Sequence, residues 1–189
     1  MISKAANLHF VICEKYKKNL LNIGEKKENI FNYGSLAIDN IKKLKKIPKS
    51  KLFRNLNLKE NKPTILLTYH PVTIEKKIST LQQVKNIFYN LVKKKFQIIV
   101  TSPGHENGRS IIENYIKKLS KEFNQIKYID SLGHETLFNI LPYCKFVIGN
   151  SSSGIIEVPY FKIPTINIGD RQKGRYMHLS VINASYSKQ

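Results

Sequence analysis

A run of small hydroxyl residues between two apolar stretches forms the first candidate site. Residues 146–148 are Phe-Val-Ile, Gly149 and Asn150 interrupt them, and the chain then reads Ser-Ser-Ser-Gly-Ile-Ile-Glu from Ser151 to Glu157. This pattern predicts a buried strand, a tight turn and a short helix that begins with capping hydroxyls. Because the first N–H groups of a helix lack internal partners and its dipole end is positive, the turn suits a phosphate group.

Two charged side chains extend this site toward a nucleotide. Glu157 is expected about one and a half turns into the helix, from where its carboxylate can accept both hydroxyls of a ribose. Arg171 follows the next apolar stretch, residues 165–168, and can meet the remaining negative charge. Capping serines are far more common than phosphate sites, so spacing alone leaves a capped helix with a solvated Glu157 as an equal alternative.

The same segment carries a longer and more specific pattern. Residues 149–157 read Gly-Asn-Ser-Ser-Ser-Gly-Ile-Ile-Glu, and residues 164–175 read Pro-Thr-Ile-Asn-Ile-Gly-Asp-Arg-Gln-Lys-Gly-Arg. Together they resemble the UDP-N-acetylglucosamine 2-epimerase family, most closely its hydrolysing branch, which makes N-acetylmannosamine for sialic acid or a related sugar for legionaminic acid. Shorter matches extend the resemblance over nearly the whole chain: Leu-His-Phe at 8–10, Gly-Ser at 34–35, Thr-Tyr-His-Pro-Val-Thr at 68–73, and Gly108.

The resemblance implies two Rossmann-like domains in the glycosyltransferase-B arrangement, with the active site between them. This chain resembles only the later half. Residues 1–47 would close the otherwise missing first domain, and 64–189 would form the UDP-binding domain without its final crossing helix. Residues 48–63, rich in lysine and asparagine and punctuated by prolines, would be the linker. We therefore expect a fragment that is active only if a separate chain supplies the first domain. The full-length family is expected to form homo-oligomers.

The resemblance also implies the chemistry. Hydrolysing epimerases remove the C2 proton of UDP-N-acetylglucosamine and expel UDP, and water then adds at C1 to give N-acetylmannosamine, without a metal or an organic cofactor. The residues that would bind UDP are His70, Leu132, Ser151, Ser152, Glu157 and Arg171. Leu132 would contact the uracil ring. His70 would also be the catalytic residue of this half, because the acid and base carboxylates of the family come mainly from the first domain.

The loop at residues 101–109 departs from the family pattern. Family members usually have Asn-x-Asp-x-Gly here, whereas this chain reads Gly-His-Glu-Asn-Gly from Gly104 onward. The asparagine that contacts the nucleotide is absent, and Glu106 stands in place of the aspartate. Gly104 and Glu106 are therefore weaker candidates for nucleotide contact.

Three alternatives to the main interpretation stay open. The substrate can instead be a nucleotide-linked diacetylbacillosamine of legionaminic acid synthesis, since both substrates use similar motifs in this half. The chain can also be an inactive remnant that binds UDP without catalysis. The last alternative is a basic nucleic-acid-binding domain whose likeness to the family is only ancestral.

The charge of the chain bears on this last alternative. It has 32 basic against 13 acidic residues, a formal net charge of +19, which can mark a binder of nucleic acid or membrane surfaces. The arginines are only Arg54, Arg109, Arg171 and Arg175, whereas specific readers of phosphates and bases favour the arginine fork. The lysines are spread along the chain, as an AT-rich genome would also produce. The sequence therefore predicts neither nucleic acid nor membrane as a partner.

Other reactive residue types stand alone in the sequence. Cys13 and Cys144 have neither metal-ligand spacing nor a disulfide framework, and their apolar surroundings predict buried structural thiols. His9 lies in a predicted strand, so we expect a satisfied core or interface histidine. The start of the chain lacks the sustained apolar core of a signal peptide, and no apolar run approaches the ~20 residues of a membrane span. We therefore expect a cytoplasmic protein.

Alternating apolar and amphipathic stretches must position these side chains. Strands are predicted at 8–13, 30–33, 64–68, 97–101, 126–129, 146–148 and 165–168. Helices are predicted at 14–23, 37–45, 75–94, 108–123 and 134–142, with a short one after Ser153. The alternation predicts an α/β fold, a Rossmann-like parallel sheet with helices on both faces. Ligands of such sheets gather beyond the carboxyl ends of the strands, where every candidate residue falls.

Overall fold

The structure is a computed structural model that describes residues 2–72 and 78–186, and the chain divides into two compact units, Met1–Leu44 and Lys45–Gln189. The elements of the smaller unit are helix α1 (Ile2–Ala5), strand β1 (His9–Val11), helix α2 (Glu14–Asn22), strand β2 (Ile30–Asn32) and helix α3 (Leu36–Lys43). β1 and β2 pair in parallel. His9 is buried, and its Nε2 lies 3.1 Å from Oε2 of Glu25, which confirms the prediction of a satisfied histidine.

The larger unit contains the candidate site. Its elements are α4 (Lys49–Asn55), β3 (Thr64–Thr68), α5 (Thr80–Leu91), β4 (Gln97–Thr101), α6 (Arg109–Glu122), β5 (Ile126–Ile129), α7 (Gly133–Ile140), β6 (Cys144–Gly149), α8 (Ser153–Ile156), β7 (Thr165–Ile168) and β8 (Val181–Ala184). Six strands form one sheet in the order β5-β4-β3-β6-β7-β8, and each neighbouring pair is parallel. The predicted parallel α/β fold is confirmed.

Both faces of the sheet are covered. Ile65 and Leu67 of β3 pack in a cluster with residues of α5 and α6. Successive side chains of a strand point to opposite faces, so Leu66 belongs to the other face, and it is buried as well. Strands buried on both faces read as continuous apolar runs, which is why β3 and β4 were predicted at their observed bounds.

The segment at 48–63, predicted as a linker, is instead folded into the larger unit. It contains α4, whose Leu52 and Phe53 are 1% and 2% exposed. Pro48 occupies the N-cap position of this helix, outside the helix interior where proline would be disruptive. The helix itself was not predicted, because prolines and lysines received more weight than two adjacent apolar residues.

Three other elements, β8, α1 and α5, differ from the prediction. β8 was missed because it is an edge strand whose Ile182 is exposed, so it lacks a buried apolar run. α1 was also missed. The helix predicted at 75–94 is observed as α5, capped by the hydroxyl of Ser79, which accepts from the N–H of Gln82; residues 75–77 of that prediction lie outside the described residues.

Two further predictions concern the membrane and the cysteines. Among the helices of the described residues, none combines the length and the apolar character needed to cross a membrane. Cys144 is buried, and burial raises the pKa of its thiol to about 12, which confirms a structural thiol at that position. Cys13 is only partly buried.

Candidate functional site

The order of the strands places a crevice between β3 and β6. The chain runs outward from β3 through β4 to β5 and then returns to β6 on the other side of β3. Parallel sheets bind ligands at such a switch point, beyond the carboxyl ends of the strands. A pocket with a volume of about 350 Å³ lies here. Its walls include Thr68, Thr101, Leu132, Leu137, Ser151 and Ser153.

Gly149 allows β3 and β6 to approach closely at the base of this crevice. Its φ is 140°, and a Cβ added there would lie 1.9 Å from the carbonyl oxygen of Thr68. A side chain at this position would therefore force the two strands apart. The N–H of Asn150 donates to the same carbonyl oxygen over 3.2 Å, which fixes the turn that follows β6.

Asn150 connects three parts of the site. It is 1% exposed; its Oδ1 accepts from the N–H of His70 over 2.7 Å, and its Nδ2 donates to the carbonyl of His70 over 2.8 Å. The carbonyl oxygen of Asn150 accepts from Nη1 of Arg171 over 3.2 Å and from Nε2 of Gln172 over 2.8 Å. One buried residue thus holds the turns that follow β3, β6 and β7.

His70 is held as a neutral imidazole. Its Nδ1 accepts from the N–H of Gly104 over 2.9 Å, so the ring proton of the neutral form belongs on Nε2. Burial lowers the pKa of His70, and the nearby Arg171 lowers it further, whereas Glu106 acts in the opposite direction. Oε2 of Glu106 lies 3.7 Å from Nδ1. An ion pair between Glu106 and His70 would require a proton on Nδ1 of His70, which instead accepts the hydrogen bond from Gly104. The geometry therefore fits the neutral imidazole.

Glu106 and Arg171 form a direct ion pair. Nη2 of Arg171 donates to Oε1 of Glu106 over 2.8 Å. Burial opposes ionisation of Glu106, but the hydrogen bond from its own backbone and the neighbouring Arg171 together lower its pKa below the usual value. A Cβ at Gly104 would lie 2.5 Å from Oε2 of Glu106 and 3.2 Å from Nδ1 of His70. A side chain at position 104 would therefore displace the carboxylate of Glu106.

The serine turn differs from the prediction. α8 has four residues, Ser152 is its N-cap without a side-chain cap hydrogen bond, and the hydroxyl of Ser151 accepts from the N–H of Ser153 over 3.4 Å. Glu157 was expected inside the helix but is its C-cap, because a 3-10 turn at Val158–Phe161 replaces the second turn. A single turn aligns few peptide dipoles, so Arg171 must supply more of any positive potential.

The predicted residues fall into two neighbouring groups. Leu132 and Ser151 line the pocket, together with Ser153, which was not predicted. His70, Gly104, Glu106 and Arg171 form a hydrogen-bonded cluster that Asn150 joins to the turn at Ser151. Ser152 and Glu157 are not part of the pocket wall; Glu157 has one buried carboxylate oxygen, Oε2, without a hydrogen-bond partner among the described residues.

Asn150 and Gln172 are the residues that sequence reasoning missed. Asn150 had been interpreted only as the break after a strand, although its position inside the Gly-Asn-Ser-Ser-Ser motif was a signal. Across residues 2–72 and 78–186, no group of three or more His, Cys, Asp or Glu side chains is arranged to hold a metal ion. The cluster of His70, Gly104, Glu106 and Arg171 offers an arginine paired with a carboxylate, an imidazole and a backbone N–H.

Comparison with known proteins identifies the family. The sequence profile of the UDP-N-acetylglucosamine 2-epimerase family matches residues 1–189. The chain belongs to this family. The chain is 41% identical over 188 residues to the GDP/UDP-N,N'-diacetylbacillosamine 2-epimerase (hydrolyzing) of Campylobacter jejuni, covering 97% of this chain and 48% of that protein. It is 35% identical over 192 residues to the polysialic acid biosynthesis protein P7 of Escherichia coli, covering 99% and 48%.

A solved structure shows the same fold at lower identity. The UDP-GlcNAc 2-epimerase of Neisseria meningitidis, solved with UDP-GlcNAc bound, superposes with a TM-score of 0.70 at 17% identity, covering 89% of this chain and 46% of that one. The chain spans about half the length of the curated relatives that it matches.

Proposed function

We propose that this chain provides the UDP-binding half of a hydrolysing UDP-N-acetylglucosamine 2-epimerase. The observation that carries the proposal is the pocket at the β3–β6 switch point, next to which Asn150 holds the side chain of Arg171 and the backbone of His70. Family membership supplies the nucleotide sugar as the ligand class. A volume of about 350 Å³ lies within the range of small-molecule sites.

Each predicted residue has a role in this proposal. The uracil ring packs against Leu132 in the pocket. The unpartnered Oε2 of Glu157 accepts a ribose hydroxyl, which would remove the cost of a buried oxygen without a donor. The diphosphate lies between the Ser151–Ser152 turn and Arg171. The guanidinium of Arg171 already donates hydrogen bonds to Glu106 and to the carbonyl of Asn150, which hold it in place.

His70 assists departure of the diphosphate. In the proposed reaction the C2 proton is removed by a base outside this chain, the bond from C1 to the diphosphate oxygen breaks, and negative charge grows on UDP. The neutral imidazole donates its Nε2 proton in a hydrogen bond to that oxygen, while Arg171 balances the charge. Donors that are fixed before the reaction stabilise developing charge without reorganisation. The oxygen of water then adds at C1 and a proton returns to C2, which completes the addition of water across the double bond.

A second substrate has a specific observation in its favour. The Campylobacter relative at 41% identity is named a diacetylbacillosamine 2-epimerase, so UDP-N,N'-diacetylbacillosamine is the alternative nucleotide sugar. Displacement of bound UDP by each nucleotide sugar distinguishes the two candidate substrates. If the alternative is correct, UDP-N,N'-diacetylbacillosamine should displace UDP at a lower concentration than UDP-N-acetylglucosamine does.

Calorimetric titration of UDP into the purified chain tests the proposal. We expect wild-type binding that weakens at least about tenfold in Glu157→Ala and Arg171→Ala, since each loses a charge-assisted hydrogen bond. The matched controls are Glu122→Ala and Arg54→Ala, whose side chains are exposed on α6 and α4, and their affinity should equal that of the wild type. Unchanged affinity in both site variants, or no binding by the wild type, would contradict the proposal.

A further inference from the structure

A second groove lies at the other end of the strands, opposite the UDP pocket. Its volume is about 600 Å³, and it follows the amino ends of β3, β4 and β5, which are neighbours in the sheet. Four lysines line it: Lys59, Lys62, Lys95 and Lys127. These lysines are far apart in sequence, so the sequence predicted a dispersed charge. The fold brings them together because each lies close to the start of one of the three strands.

The lining of this groove favours an anion. Its other polar members are the neutral residues Asn57, Gln97, Asn124 and Gln125, and no Asp or Glu of the described residues belongs to the lining. Glu60 is next to Lys59 in sequence, but its Oε2 lies 3.8 Å from Nζ of Lys49. Within the part of the chain that the structure describes, none of the four lysines forms an ion pair.

Two glutamine amides, of which that of Gln97 is buried, hold backbone near these lysines. Oε1 of Gln97 accepts from the N–H of Lys59 over 2.7 Å, and its Nε2 donates to the carbonyl of Lys59 over 2.8 Å. Gln97 is 5% exposed. Nε2 of Gln125 donates to the carbonyl of Val92 over 2.9 Å, which ties the turn before β5 to the end of α5. The lysines therefore start from fixed positions around one concave surface.

We propose that this groove, which we call the lysine groove, binds a small anion with several phosphate groups. Four ammonium groups without a carboxylate produce a concentrated positive potential in a concave site. Lysine acts as a point charge, without the planar fork of arginine, so the site recognises charge and size and not one particular base. The groove is compact, within the range of small-molecule sites, whereas a nucleic acid needs an extended basic track.

Inorganic tripolyphosphate is the probe for this site. NMR spectra of the full chain should show amide shifts confined to residues 57–62, 95–97 and 124–127 of the groove. The double variant Lys62→Gln and Lys127→Gln should raise the dissociation constant about tenfold or more, because two charge-assisted contacts are lost. The control, Lys15→Gln with Lys18→Gln, removes the same charge from exposed positions of α2 and should change the constant less than about twofold.

Three results would overturn the proposal. Equal weakening in both double variants would show a general effect of net charge. Shifts that appear only at 149–153 and 171 would place tripolyphosphate in the UDP pocket. A single-stranded RNA of about ten nucleotides that binds more tightly than tripolyphosphate would assign the lysines to nucleic acid. UDP affinity is measured separately in both variants and should equal that of the wild type, so the proposed function is tested independently.

Discussion

At the scale of single residues, Asn150 has more influence on the candidate site than any residue predicted to touch the nucleotide. Its amide holds both backbone groups of His70, which lies 80 positions earlier in the chain. Such a contact has no signature in local sequence, because hydrophobic periodicity and capping rules describe neighbours along the chain. The candidate residues could be predicted since they cluster in motifs, and the motif at 149–153 also contains Asn150, but no local pattern indicates that Asn150 contacts His70.

Replacement of Asn150 tests this role. Asn150→Ala leaves the buried N–H and carbonyl of His70 without their partners, and each such group costs about 1–3 kcal/mol. We expect the free energy of unfolding in urea to fall by at least about 2 kcal/mol and UDP affinity to fall with it. Asn90→Ala, at an exposed position of α5, is the control and should be nearly neutral. Normal stability of the Asn150 variant would disprove the connecting role.

Gly149 offers a second test at this scale. A Cβ there would meet the backbone oxygen of Thr68 at 1.9 Å, and backbone cannot move aside as a flexible side chain can. Gly149→Ala should therefore destabilise the protein by about 3 kcal/mol or more. Gly174 also has a positive φ, 85°, but nothing lies within 4 Å of its added Cβ. Gly174→Ala should cost only about 1–2 kcal/mol; equal losses in both variants would reject the close approach.

The pKa of His70 predicts how stability depends on pH. Burial and Arg171 lower this pKa in the folded protein, so below the unfolded value of about 6.5 the unfolded state binds a proton more readily than the folded state. The free energy of unfolding should then decrease as pH falls from 8 to 5.5. His70→Gln should make this decrease smaller, as measured by urea unfolding at both values. An identical pH dependence in wild type and variant would contradict a buried neutral imidazole.

At the scale of elements, the central strands were predictable, whereas three peripheral elements, α1, α4 and β8, were not. β3 and β4 are buried on both faces, so their sequences are uninterrupted apolar runs. β8 and α4 bury only part of their surface, and a few apolar residues among lysines and prolines do not distinguish a short element from a loop. α8 was placed correctly but made too long, because Pro159 starts a 3-10 turn that periodicity does not describe.

Phe53 tests whether α4 belongs to the larger unit. Its side chain is 2% exposed, and its ring packs edge-on against Tyr143 with centroids 5.8 Å apart. Phe53→Ala should lower the free energy of unfolding by about 3–5 kcal/mol. The neighbouring Arg54→Ala changes an exposed residue of the same helix and should have little effect. A decrease in the free energy of unfolding below about 1 kcal/mol for Phe53→Ala, smaller than for a core residue, would indicate that residues 48–63 are a linker.

At the scale of the whole molecule, the residues of the candidate site all belong to one unit of the chain. Every predicted UDP contact lies between residues 70 and 171, inside the unit Lys45–Gln189, and the six-stranded sheet that positions these contacts is complete within that unit. The two-stranded sheet of the smaller unit, by contrast, is of a size that is marginally stable in isolation. Nucleotide binding should therefore be a property of the larger unit.

Expression of residues 45–189 alone tests this conclusion. We expect a cooperatively unfolding protein whose dissociation constant for UDP lies within about threefold of that of the full chain, a difference below about 1 kcal/mol. Calorimetry measures the affinity, and the Arg171→Ala variant of the shortened chain should lose it as in the full chain. A shortened protein that folds but no longer binds UDP would show that residues 1–44 contribute to the site. In that case the pocket at the β3–β6 switch point would be only part of the nucleotide site.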